Sequence, residues 1–500
     1  MRIAAIDVGS NSIHLVVVEA DAVGNQRVLA REKAMVRLAR GTATSGEISP
    51  EAFQTGLETL ALMGEIVRGF HCETVLACGT AALREARNAP RFLAEAARLG
   101  VPIRVISGEE EARLIFQAVS HAIPFPEEPV ALLDIGGGST EITWVQGGRA
   151  QASLSLPWGV QRLADKVATA NPPAPADLQR AERFFRKVLR KARKRLPKEL
   201  PAPKLVLGTA GTLLDLSKAC GAEGSFTRIQ LKRFQRRLWR GDAQFRMEKL
   251  GVEPKRAEVL HVGASWAGAL LRWLGAEQVR VLPVGVREGM IWEALRHGGS
   301  YIPPLADRRR ASVEALAERL DPDPGHSLQV QRLCEQLFDA VQPQFELGEP
   351  EREWLSLAAR LHDIGFSVSE KAHHKHGAYL IRNGGLQGFW PQEAEILAQV
   401  VRHHRGKDPS PKRHQEFRLL APWHRQVVVK LAAILRAADA LDRRRRQVVR
   451  RVELRDEGEY FTLSVEGLGD LRAELEALQD KGDLLFRLLD RPVEIRAGMA

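Results

Sequence analysis

One short motif occurs twice in this sequence, and its residue types suit phosphate and metal chemistry. An apolar segment containing Asp7 precedes the turn 9–12, and a second apolar segment containing Asp134 precedes the turn 136–140. Each copy predicts a strand, a tight turn and a second strand. Amides of such turns can approach phosphate oxygens closely, and the carboxylates suit a hard cation such as Mg²⁺. Two facing hairpins would therefore form a phosphate-binding cleft.

Further side chains could complete this cleft. Ser107 predicts the start of a helix with three glutamates in its first turn. Capping and the helix dipole explain such acids, but the capping box does not need Glu111, which could be a general base. Arg37 and Arg84 each follow a predicted strand and could clamp phosphoryl oxygens, unless they are surface arginines. The turn 208–212 offers a third set of amides and hydroxyls.

The second half of the chain contains a different constellation, in which histidines and aspartates are spread over predicted helices. Imidazole and carboxylate groups that converge in a helical core can bind Mn²⁺, Fe²⁺, Zn²⁺ or Ni²⁺. The other interpretation is that these are satisfied core histidines. The candidate ligands of this second site are His326, His362, Asp363, His376, His403, His404 and Asp439.

The succession of elements divides the chain into four predicted domains. Strands alternate with helices in two related halves, which predicts a duplicated α/β core with domains at 1–125 and 126–300. The proline-containing segment 298–310 predicts a linker. Helical patterns then predict an all-α domain at 305–447, and a strand, a helix and a strand predict a small α+β unit at 448–500.

The charge of the chain favours a polyanionic partner. The formal net charge is +11, and basic residues cluster at 180–198, 228–240 and 443–451. Each cluster could also be a solvated helix face. The chain has only three tyrosines, and aromatic residues are few within the basic runs, where they are limited to Phe184, Phe185, Phe234 and Trp239. Because single strands of nucleic acid bind by stacking on aromatic side chains, the sequence argues against a nucleic-acid partner.

The sequence gives no sign of a membrane or secreted protein. No run of about 18 apolar residues predicts a transmembrane helix, and the N-terminus lacks the pattern of a signal peptide. The four cysteines form no Cys-x-x-Cys pair. We therefore expect a cytoplasmic protein with free thiols and no membrane partner.

Taken together, the motifs of residues 1–300 resemble the exopolyphosphatase/guanosine pentaphosphate phosphohydrolase (Ppx/GppA) family. The resemblance rests on the segments 7–12, 79–84, 106–113, 134–141 and 208–212. It implies the duplicated ribonuclease-H-like α/β fold of the acetate/sugar kinase–Hsp70–actin proteins, a homodimer and Mg²⁺-dependent hydrolysis. It also implies that Glu111 is the base and that Asp134 is a metal-associated acid.

Residues from about 310 to 445 resemble an HD-superfamily domain. The resemblance implies metal binding and phosphoester hydrolysis, as in many HD enzymes. In Ppx/GppA phosphatases the helical extension often serves instead as a platform for long polyphosphate and for dimerisation. Unlike many relatives, this chain retains the pair His362-Asp363 and most later ligands. The sequence therefore leaves a second metal site in this domain as an alternative to a simple scaffold.

The leading hypothesis is an exopolyphosphatase that releases terminal orthophosphate from inorganic polyphosphate. Glu111 would activate water, Arg84 would clamp the phosphate, and Asp7, Asp134 and Glu141 would hold Mg²⁺. The alternatives are hydrolysis of pppGpp, with pppGpp or ppGpp as ligand, a nucleotide phosphohydrolase at the second site, and a polyphosphate-binding regulator without turnover. The predicted phosphate-binding residues are Gly9, Ser10, Asn11, Arg37, Gly136, Gly137, Gly138, Ser139, Gly208, Thr209, Gly211 and Thr212.

Overall fold

Two compact units make up the chain: unit 1, Met1–Pro303, and unit 2, Pro304–Ala500. The structure, a computed structural model, describes residues 1–21, 24–40, 42–167, 172–220, 224–297 and 305–499. The first part of the predicted linker 298–310 lies outside the described residues, and the remainder belongs to a helix. Within the described ranges, no helix is long and apolar enough to cross a membrane.

The first lobe of unit 1 is built on a five-stranded sheet. Its strands are β1 (Arg2–Val8), β2 (Ser12–Ala20), β3 (Gln26–Met35), β4 (Thr74–Gly79) and β5 (Arg104–Val105). They lie in the order β3-β2-β1-β4-β5, with β1 to β3 antiparallel and β4 and β5 parallel to β1. The helices are α1 (Thr42–Ser45), α2 (Pro50–Gly69), α3 (Ala81–Glu85), α4 (Ala89–Arg98) and α5 (Gly108–Ala122).

The second lobe repeats this plan. Its strands are β6 (Val130–Ile135), β7 (Thr140–Gln146), β8 (Arg149–Leu156), β9 (Leu205–Thr209), β10 (Ser225–Thr227) and β11 (Gln278–Val281). Its helices are α6 (Val160–Val167), α7 (Pro175–Arg193), α8 (Ala210–Ala219), α9 (Arg228–Leu238), α10 (Ala243–Leu250), α11 (Pro254–Ala257), α12 (Leu260–Leu274) and α13 (Val286–His297). The sheet order β8-β7-β6-β9-β11 matches that of the first sheet, and β10 is added at the edge. The predicted duplication of an α/β core is confirmed.

Helix α5 begins where the sequence predicts. The Glu110 N–H donates to Ser107 Oγ at 3.1 Å and so caps the helix. The side chain of Glu110 accepts instead from Arg104 Nη1 at 2.5 Å, so the second half of a capping box does not form. The cap fixes the position of the first turn of α5, which contains Glu111.

Helix α13, the last of unit 1, returns to the first lobe. Met290, Ile291 and Trp292 are buried in the same hydrophobic cluster as Ile3 and Val16 of the first sheet. A Cβ at position 289 would overlap the backbone of α5, so glycine permits the close contact. The predicted domain 126–300 therefore gives its final helix to the lobe formed by 1–125.

Unit 2 is a helical body with a three-stranded sheet. Its helices are α14 (Leu305–Leu320), α15 (Pro324–Phe345), α16 (Glu349–Arg360), α17 (His373–Asn383), α18 (Pro391–Arg402), α19 (Gln415–Leu419), α20 (Pro422–Ala440), α21 (Arg472–Lys481) and α22 (Asp483–Leu489), with a 3₁₀ turn at Ile364–Ser367. The strands β12 (Val449–Asp456), β13 (Phe461–Gly467) and β14 (Val493–Met499) form the sheet in that order. One hydrophobic core extends from Val313 to Leu489. The ranges 305–447 and 448–500 therefore share a core.

Gly159 should not tolerate a side chain, because a Cβ there would overlap the backbone of Gly137 and Gly138. We expect Gly159→Ala to lower the free energy of unfolding by about 1–3 kcal/mol, the usual cost of overpacking. Urea denaturation measures this. Gly69→Ala is the matched control, since a Cβ there meets nothing within 4 Å. Equal midpoints for the two variants would contradict the expectation.

Candidate functional site

The two copies of the sequence motif adopt the same turn. Between β1 and β2, the Gly9 N–H donates to the Ser12 carbonyl oxygen at 3.1 Å. Between β6 and β7, the Gly136 N–H donates to the Ser139 carbonyl oxygen, also at 3.1 Å. Each turn begins two residues after the aspartate of its motif. The carboxylate and the turn amides therefore have the same relation in both lobes.

The two turns contact each other. A Cβ at Gly137 would lie 3.1 Å from Asn11 Cβ, and a Cβ at Gly138 would overlap Ser10 Oγ. Glycine is required here by the approach of a second chain segment. The structure thus brings together the predicted phosphate-binding residues Gly9, Ser10, Asn11, Gly136, Gly137, Gly138 and Ser139.

Four carboxylates lie beside these turns. The strand register places Glu141 directly opposite Asp134 in the second hairpin, whereas His14 lies opposite Asp7 in the first. Glu111 is buried on the first turn of α5. Among the described residues, side-chain hydroxyls of Thr209 and Ser155 make short hydrogen bonds to two of these acids. Asp134 Oδ2 accepts from Thr209 Oγ1 at 2.6 Å and Glu141 Oε1 accepts from Ser155 Oγ at 2.9 Å.

Burial and mutual repulsion raise the pKa values of these acids. Burial raises the pKa of Asp7 and of Asp134 to about 6, and that of Glu141 to about 8. Burial, followed by repulsion from the other three carboxylates, raises the pKa of Glu111 well above its usual value. Like charges that are close together and removed from water cannot all ionise without a compensating cation.

Several oxygens of the cluster also lack partners. Asp7 Oδ1, Glu141 Oε2 and Glu111 Oε2 are buried and make no hydrogen bond with any residue that the structure describes. Mg²⁺ takes oxygen ligands, commonly one or two carboxylates completed by water and phosphate. The predicted ligands Asp7, Asp134 and Glu141 fit such an ion. These three acids are not among the groups of described residues whose possible ligand atoms all lie within 4.8 Å of one another.

Arg84 lies beside the predicted base. Its Nη1 donates to the Ile106 carbonyl oxygen at 2.7 Å and lies 3.8 Å from Glu111 Oε2. The carbonyl fixes the guanidinium next to α5, and its remaining donors are available for an anion. Arg84 therefore has the position expected of a phosphate clamp.

Arg37 supports the first turn mainly through its backbone. Its N–H donates to the Asn11 carbonyl oxygen at 2.9 Å, and its φ of 57° is unusual for a residue with a side chain. Its guanidinium lies 3.3 Å from Glu258 Oε2. The ion pair with Glu258 offsets the positive charge of Arg37, which the sequence analysis predicted to bind phosphate.

The third turn contributes one hydroxyl to the acids. Gly208 and Thr209 end β9, and Thr209 reaches Asp134 as described above. Gly211 makes room for Arg256, because a Cβ there would overlap the guanidinium. Thr212 is buried at the start of α8. Gly211 thus leaves space for an arginine at this turn.

Sequence reasoning missed Ser155, Arg256 and Arg287. The positive charge of Arg287 opposes the rise in the pKa of Asp7. It lies at the second position of α13. The sequence gave no local signal for it, because α13 joins the first lobe through packing between distant elements. Ser155 gave no such signal either, because its role depends on the pairing of β7 with β8.

Unit 2 contains the second constellation. Among the described residues, two groups of three side chains bring ligand atoms within 4.8 Å of one another: His326, His362 and Asp363, and Asp363, His373 and His404. All five residues are buried. Asp439 adjoins the first group, with its Oδ1 3.4 Å from His326 Nε2.

Two of the predicted ligands, His376 and His403, lie outside these two groups, and one member of the groups was not predicted. The His403 ring packs against His414, at 4.5 Å between centroids, and against Phe417. His376 is half-buried one turn into α17 and belongs to neither group. His373, at the start of α17, belongs to the second group instead. Adjacent residues of a helix point about 100° apart, so neighbouring histidines face different surroundings.

The charges of this cluster complement one another. Although burial opposes it, hydrogen bonds to Asp439 and Asp442 raise the pKa of His326 to about 9. Burial would raise the pKa of Asp363, but His362 and His404 lower it to about 2. Burial lowers the pKa of His404 to about 3. Near neutral pH the cluster therefore combines an ionised Asp363 with a protonated His326 and a neutral His404.

The raised pKa of Glu141 predicts that the folded chain loses stability as the pH rises. The carboxyl ionises near 4.5 when unfolded and near 8 when folded, so the folded state binds more protons between these values. Stability should fall as pH rises. Relative to Glu141→Gln, wild type should lose several degrees of thermal midpoint from pH 5 to pH 8 in chelator-containing buffer.

Differential scanning fluorimetry at several pH values measures this difference. The exposed Glu109, on the same turn of α5 as Glu111, supplies the control variant Glu109→Gln, which should follow wild type. A constant difference between wild type and Glu141→Gln across this pH range would show that Glu141 is ionised in the folded chain.

Comparison with known families covers both units. The model of the Ppx/GppA phosphatase family matches residues 16–297, and the model of domain III of Ppx/GppA phosphatases matches residues 308–475. The second match supports a domain of this family in unit 2. The resemblance to HD enzymes stays a prediction.

Solved structures resemble unit 1. An exopolyphosphatase from Cytophaga hutchinsonii is 25% identical with a TM-score of 0.55, over 59% of this chain and 98% of its own. A Ppx/GppA family member from Aquifex aeolicus is 26% identical with a TM-score of 0.50, over the same shares of the two chains. Since the family model alone spans more than half of the sequence, this chain belongs to the Ppx/GppA phosphatase family.

Proposed function

We propose that the protein is a Mg²⁺-dependent exopolyphosphatase that releases orthophosphate from the end of inorganic polyphosphate. The observation that carries the proposal is the convergence of four carboxylates on two contacting glycine turns. This combination supplies a base, cation ligands and phosphate-binding amides in one place. The similar structure from Cytophaga hutchinsonii is named an exopolyphosphatase, which supports the same activity here.

The terminal phosphate binds at the two turns. Backbone N–H groups of glycine turns bind anions without the hindrance of side chains. Ser10 Oγ is buried at the contact between the turns and has no hydrogen-bond partner among the described residues, so it can donate to a phosphate oxygen. Arg84 adds a positive charge beside Glu111.

Asp7, Asp134 and Glu141 hold the cation. When bound, Mg²⁺ offsets the negative charge of the phosphoryl group and relieves the repulsion that raises the pKa of Glu111. Thr209 and Ser155 orient two of these carboxylates by hydrogen bonds of 2.6 and 2.9 Å. Orienting hydroxyls of this kind keep the ligand oxygens in place while substrate binds.

Glu111 acts as the general base. Its carboxylate takes a proton from a water molecule, whose oxygen forms a bond to the terminal phosphorus. The bond from that phosphorus to the bridging oxygen breaks, and the shortened polyphosphate leaves with that oxygen. Arg84 lies 3.8 Å from Glu111 Oε2 and can contact the same phosphate. Such a base commonly contributes about 100-fold to 10,000-fold to the rate.

Helix α7 favours a long polyanion as substrate. Exposed basic residues recur along it at intervals of three, one, three and one positions, and so follow one face of the helix. They are Arg183, Arg186, Lys187, Arg190 and Lys191. A continuous basic stripe can bind several phosphates of one chain, whereas a single nucleotide needs only a few cations.

A cavity in the second lobe keeps pppGpp as the second candidate substrate. It has a volume of about 280 Å³ and is lined by Trp158, Phe184, Lys187, Lys191 and Arg195. Aromatic rings can stack on a base, and the cations can bind phosphates. Trp158 adjoins Gly159, which packs against the second turn. A homodimer stays a prediction from the resemblance, and a cytoplasmic location stays a prediction from the sequence.

Glu111→Gln should lower phosphate release by at least about 100-fold, because glutamine cannot accept the proton. Polyphosphate binding should remain, since the turns are unchanged. Phosphate release is measured with Mg²⁺ from long-chain polyphosphate and from pppGpp, side by side. Glu109→Gln is the matched control and should retain wild-type turnover.

Each outcome of this comparison identifies the preferred substrate or tests the role of Glu111. Faster release from polyphosphate, lost in Glu111→Gln, supports the proposal. Faster release from pppGpp would favour the alternative substrate at the same site. Near-normal turnover of the Glu111→Gln variant would exclude Glu111 as the base.

Mg²⁺ should stabilise the folded chain more at pH 8 than at pH 5, because the carboxyls are then free to ionise. We expect the gain in thermal midpoint to fall by at least half in Asp134→Asn, while Glu109→Gln should keep the full gain. A Mg²⁺ response that is the same in all three proteins would place the cation elsewhere.

A further inference from the structure

We propose that the ion pair between Glu85 and Arg162 positions the clamp Arg84 against the second glycine turn. Neither partner of the pair binds the phosphate itself. The assignment rests on the proposed function, because Arg84 is there the phosphate clamp, and it adds two positioning residues that act through Arg84. Its support comes from the contacts of α3 with both lobes, from the contacts of Arg162 and from the geometry of the pair.

Helix α3 is short and depends on its surroundings. It extends only from Ala81 to Glu85, and its N-cap residue Thr80 makes no side-chain capping hydrogen bond. A helix of about one turn is not stable alone in water, because too few hydrogen bonds form for the residues that must be ordered. Tertiary contacts therefore determine where α3 lies, and with it the guanidinium of Arg84.

The first lobe anchors α3 through its apolar side chains and through Arg84. Ala82 and Leu83 are buried in the hydrophobic cluster of that lobe. Arg84 Nη1 donates to the Ile106 carbonyl oxygen at 2.7 Å. These contacts attach α3 to the lobe that contains Glu111, and they leave one face of the helix for the second lobe.

That remaining face carries Ala81 and Glu85. Residues four positions apart lie on the same face of a helix. At the start of α3, a Cβ at Gly138 would lie 2.8 Å from Ala81 Cβ, so the helix and the second turn are in close contact. At the end of α3, Glu85 accepts from Arg162 of α6. The second lobe therefore contacts α3 on both sides of Arg84 in the sequence.

The ion pair at the end of α3 is bidentate. Arg162 Nη1 donates to Glu85 Oε1 at 3.2 Å, and Arg162 Nη2 donates to Glu85 Oε2. Two parallel hydrogen bonds fix the orientation of both groups more strictly than a single contact between charges does. The side chain of Arg162 is only 12% exposed, whereas that of Glu85 is 41% exposed. Partial burial reduces the screening by water and salt that weakens fully exposed pairs.

Arg162 is also attached to the second turn. The N–H groups of Gln161 and Arg162 donate to the Gly137 carbonyl oxygen, at 3.0 and 3.4 Å. Arg162 Nη1 donates in addition to the Pro157 carbonyl oxygen at 3.0 Å, which holds the side chain beside its own backbone. A single residue thus contacts the phosphate-binding turn through its main chain and α3 through its guanidinium. Displacement of the turn relative to Arg84 would break these contacts.

Charge balance separates this pair from the phosphate ligands. Arg162 and Glu85 neutralise each other, so the pair neither attracts nor repels a polyanion strongly. An unpaired carboxylate beside the cleft would repel polyphosphate, and Arg162 prevents that repulsion. A phosphate ligand needs donors that are available to the anion, as those of Arg84 are. The neutral pair therefore suits a positioning role.

The pair sets the distance between two groups that bind one phosphate. The turn amides belong to the second lobe and Arg84 belongs to the first. Misplacement of a binding group by about 1 Å can slow a reaction by about 100-fold. Loss of the pair should cost less, because Ala81 and Leu83 still hold α3 in place. The loss should affect kcat more than KM, since charge on the phosphoryl oxygens must be offset mainly in the transition state.

Steady-state kinetics of the full-length protein test the pair. The assay contains Mg²⁺ and the faster of the two candidate substrates, long-chain polyphosphate or pppGpp. We expect Glu85→Gln and Arg162→Met each to lower kcat by about fivefold to tenfold and to change KM by less than about twofold. The matched control is Glu47→Gln, which removes a carboxylate that lies 3.4 Å from Arg87 within the first lobe. This control should keep the wild-type kcat, and circular dichroism confirms that each variant is folded.

Double variants test whether the pair acts through Arg84. In an Arg84→Ala background, adding Arg162→Met should lower kcat by less than about twofold, because no clamp remains to be positioned. Exchange of the two charges in Glu85→Arg/Arg162→Glu should restore at least about a third of the wild-type kcat. Arg162→Glu alone should be slower than Arg162→Met, since it places two carboxylates together. A residue that only supports the fold would show neither the rescue nor the dependence on Arg84.

Three results would overturn the positioning role. Glu85→Gln and Arg162→Met could keep the kcat of the Glu47→Gln control while Arg84→Ala is slow. The losses caused by Arg162→Met and Arg84→Ala could multiply in the double variant, which would make the two residues independent. A lower KM in Glu85→Gln would identify Arg162 as a phosphate ligand that Glu85 masks.

Failure of the proposed function would give a different pattern. Wild-type turnover in both Arg84→Ala and Glu111→Gln would exclude the clamp and the base, and the positioning role with them. Slow turnover in these two variants, together with normal turnover in both pair variants, would leave the proposed function in place and exclude the pair alone.

Discussion

Contact between two glycine turns is the constraint on which the rest of unit 1 depends. Because Gly137 and Gly138 have no side chains, the second turn can lie against Ser10 and Asn11 of the first. The strands that enter these turns then bring Asp7 and Asp134 together, and strand register adds Glu141. Bulkier residues would separate the turns and move the carboxylates apart. The chemistry of the cleft therefore begins with a steric condition on the backbone.

Buried acids that lie close together repel one another, and the two units offset this repulsion in different ways. In unit 1, burial and repulsion raise the pKa values of the four carboxyls, and Thr209 and Ser155 satisfy only part of their oxygens. In unit 2, imidazoles surround Asp363, and Arg445 and Lys481 pair with the acids. Oxygen donors with turn amides suit a hard cation and phosphate, whereas imidazole with carboxylate suits transition metals. One chain thus offers two distinct coordination environments.

The sequence predicted best what depends on neighbouring residues. The turn at 136–140 is set by local glycines and one short hydrogen bond, and the cap of α5 by Ser107, so both could be predicted. Residues that packing between distant elements brings to a site could not be predicted from the sequence. Arg287 is close enough to affect Asp7 because α13 returns to the first lobe, and His373 joins the second constellation because α17 packs against the 3₁₀ turn that follows Asp363. His403 was predicted together with its neighbour His404, because the sequence cannot tell which of two adjacent histidines faces a cluster.

The return of α13 to the first sheet determines when that lobe can be completed during synthesis. Ile3, Val16 and Val18 face a hydrophobic cluster whose other side is supplied by Val286, Ile291 and Leu295. When only the first lobe has been translated, the part of this apolar cluster that α13 covers stays exposed until almost 300 residues have emerged. Nascent chains with exposed apolar surface are prone to aggregate and are bound by chaperones. The first lobe should therefore remain dependent on such protection while the whole second lobe is made.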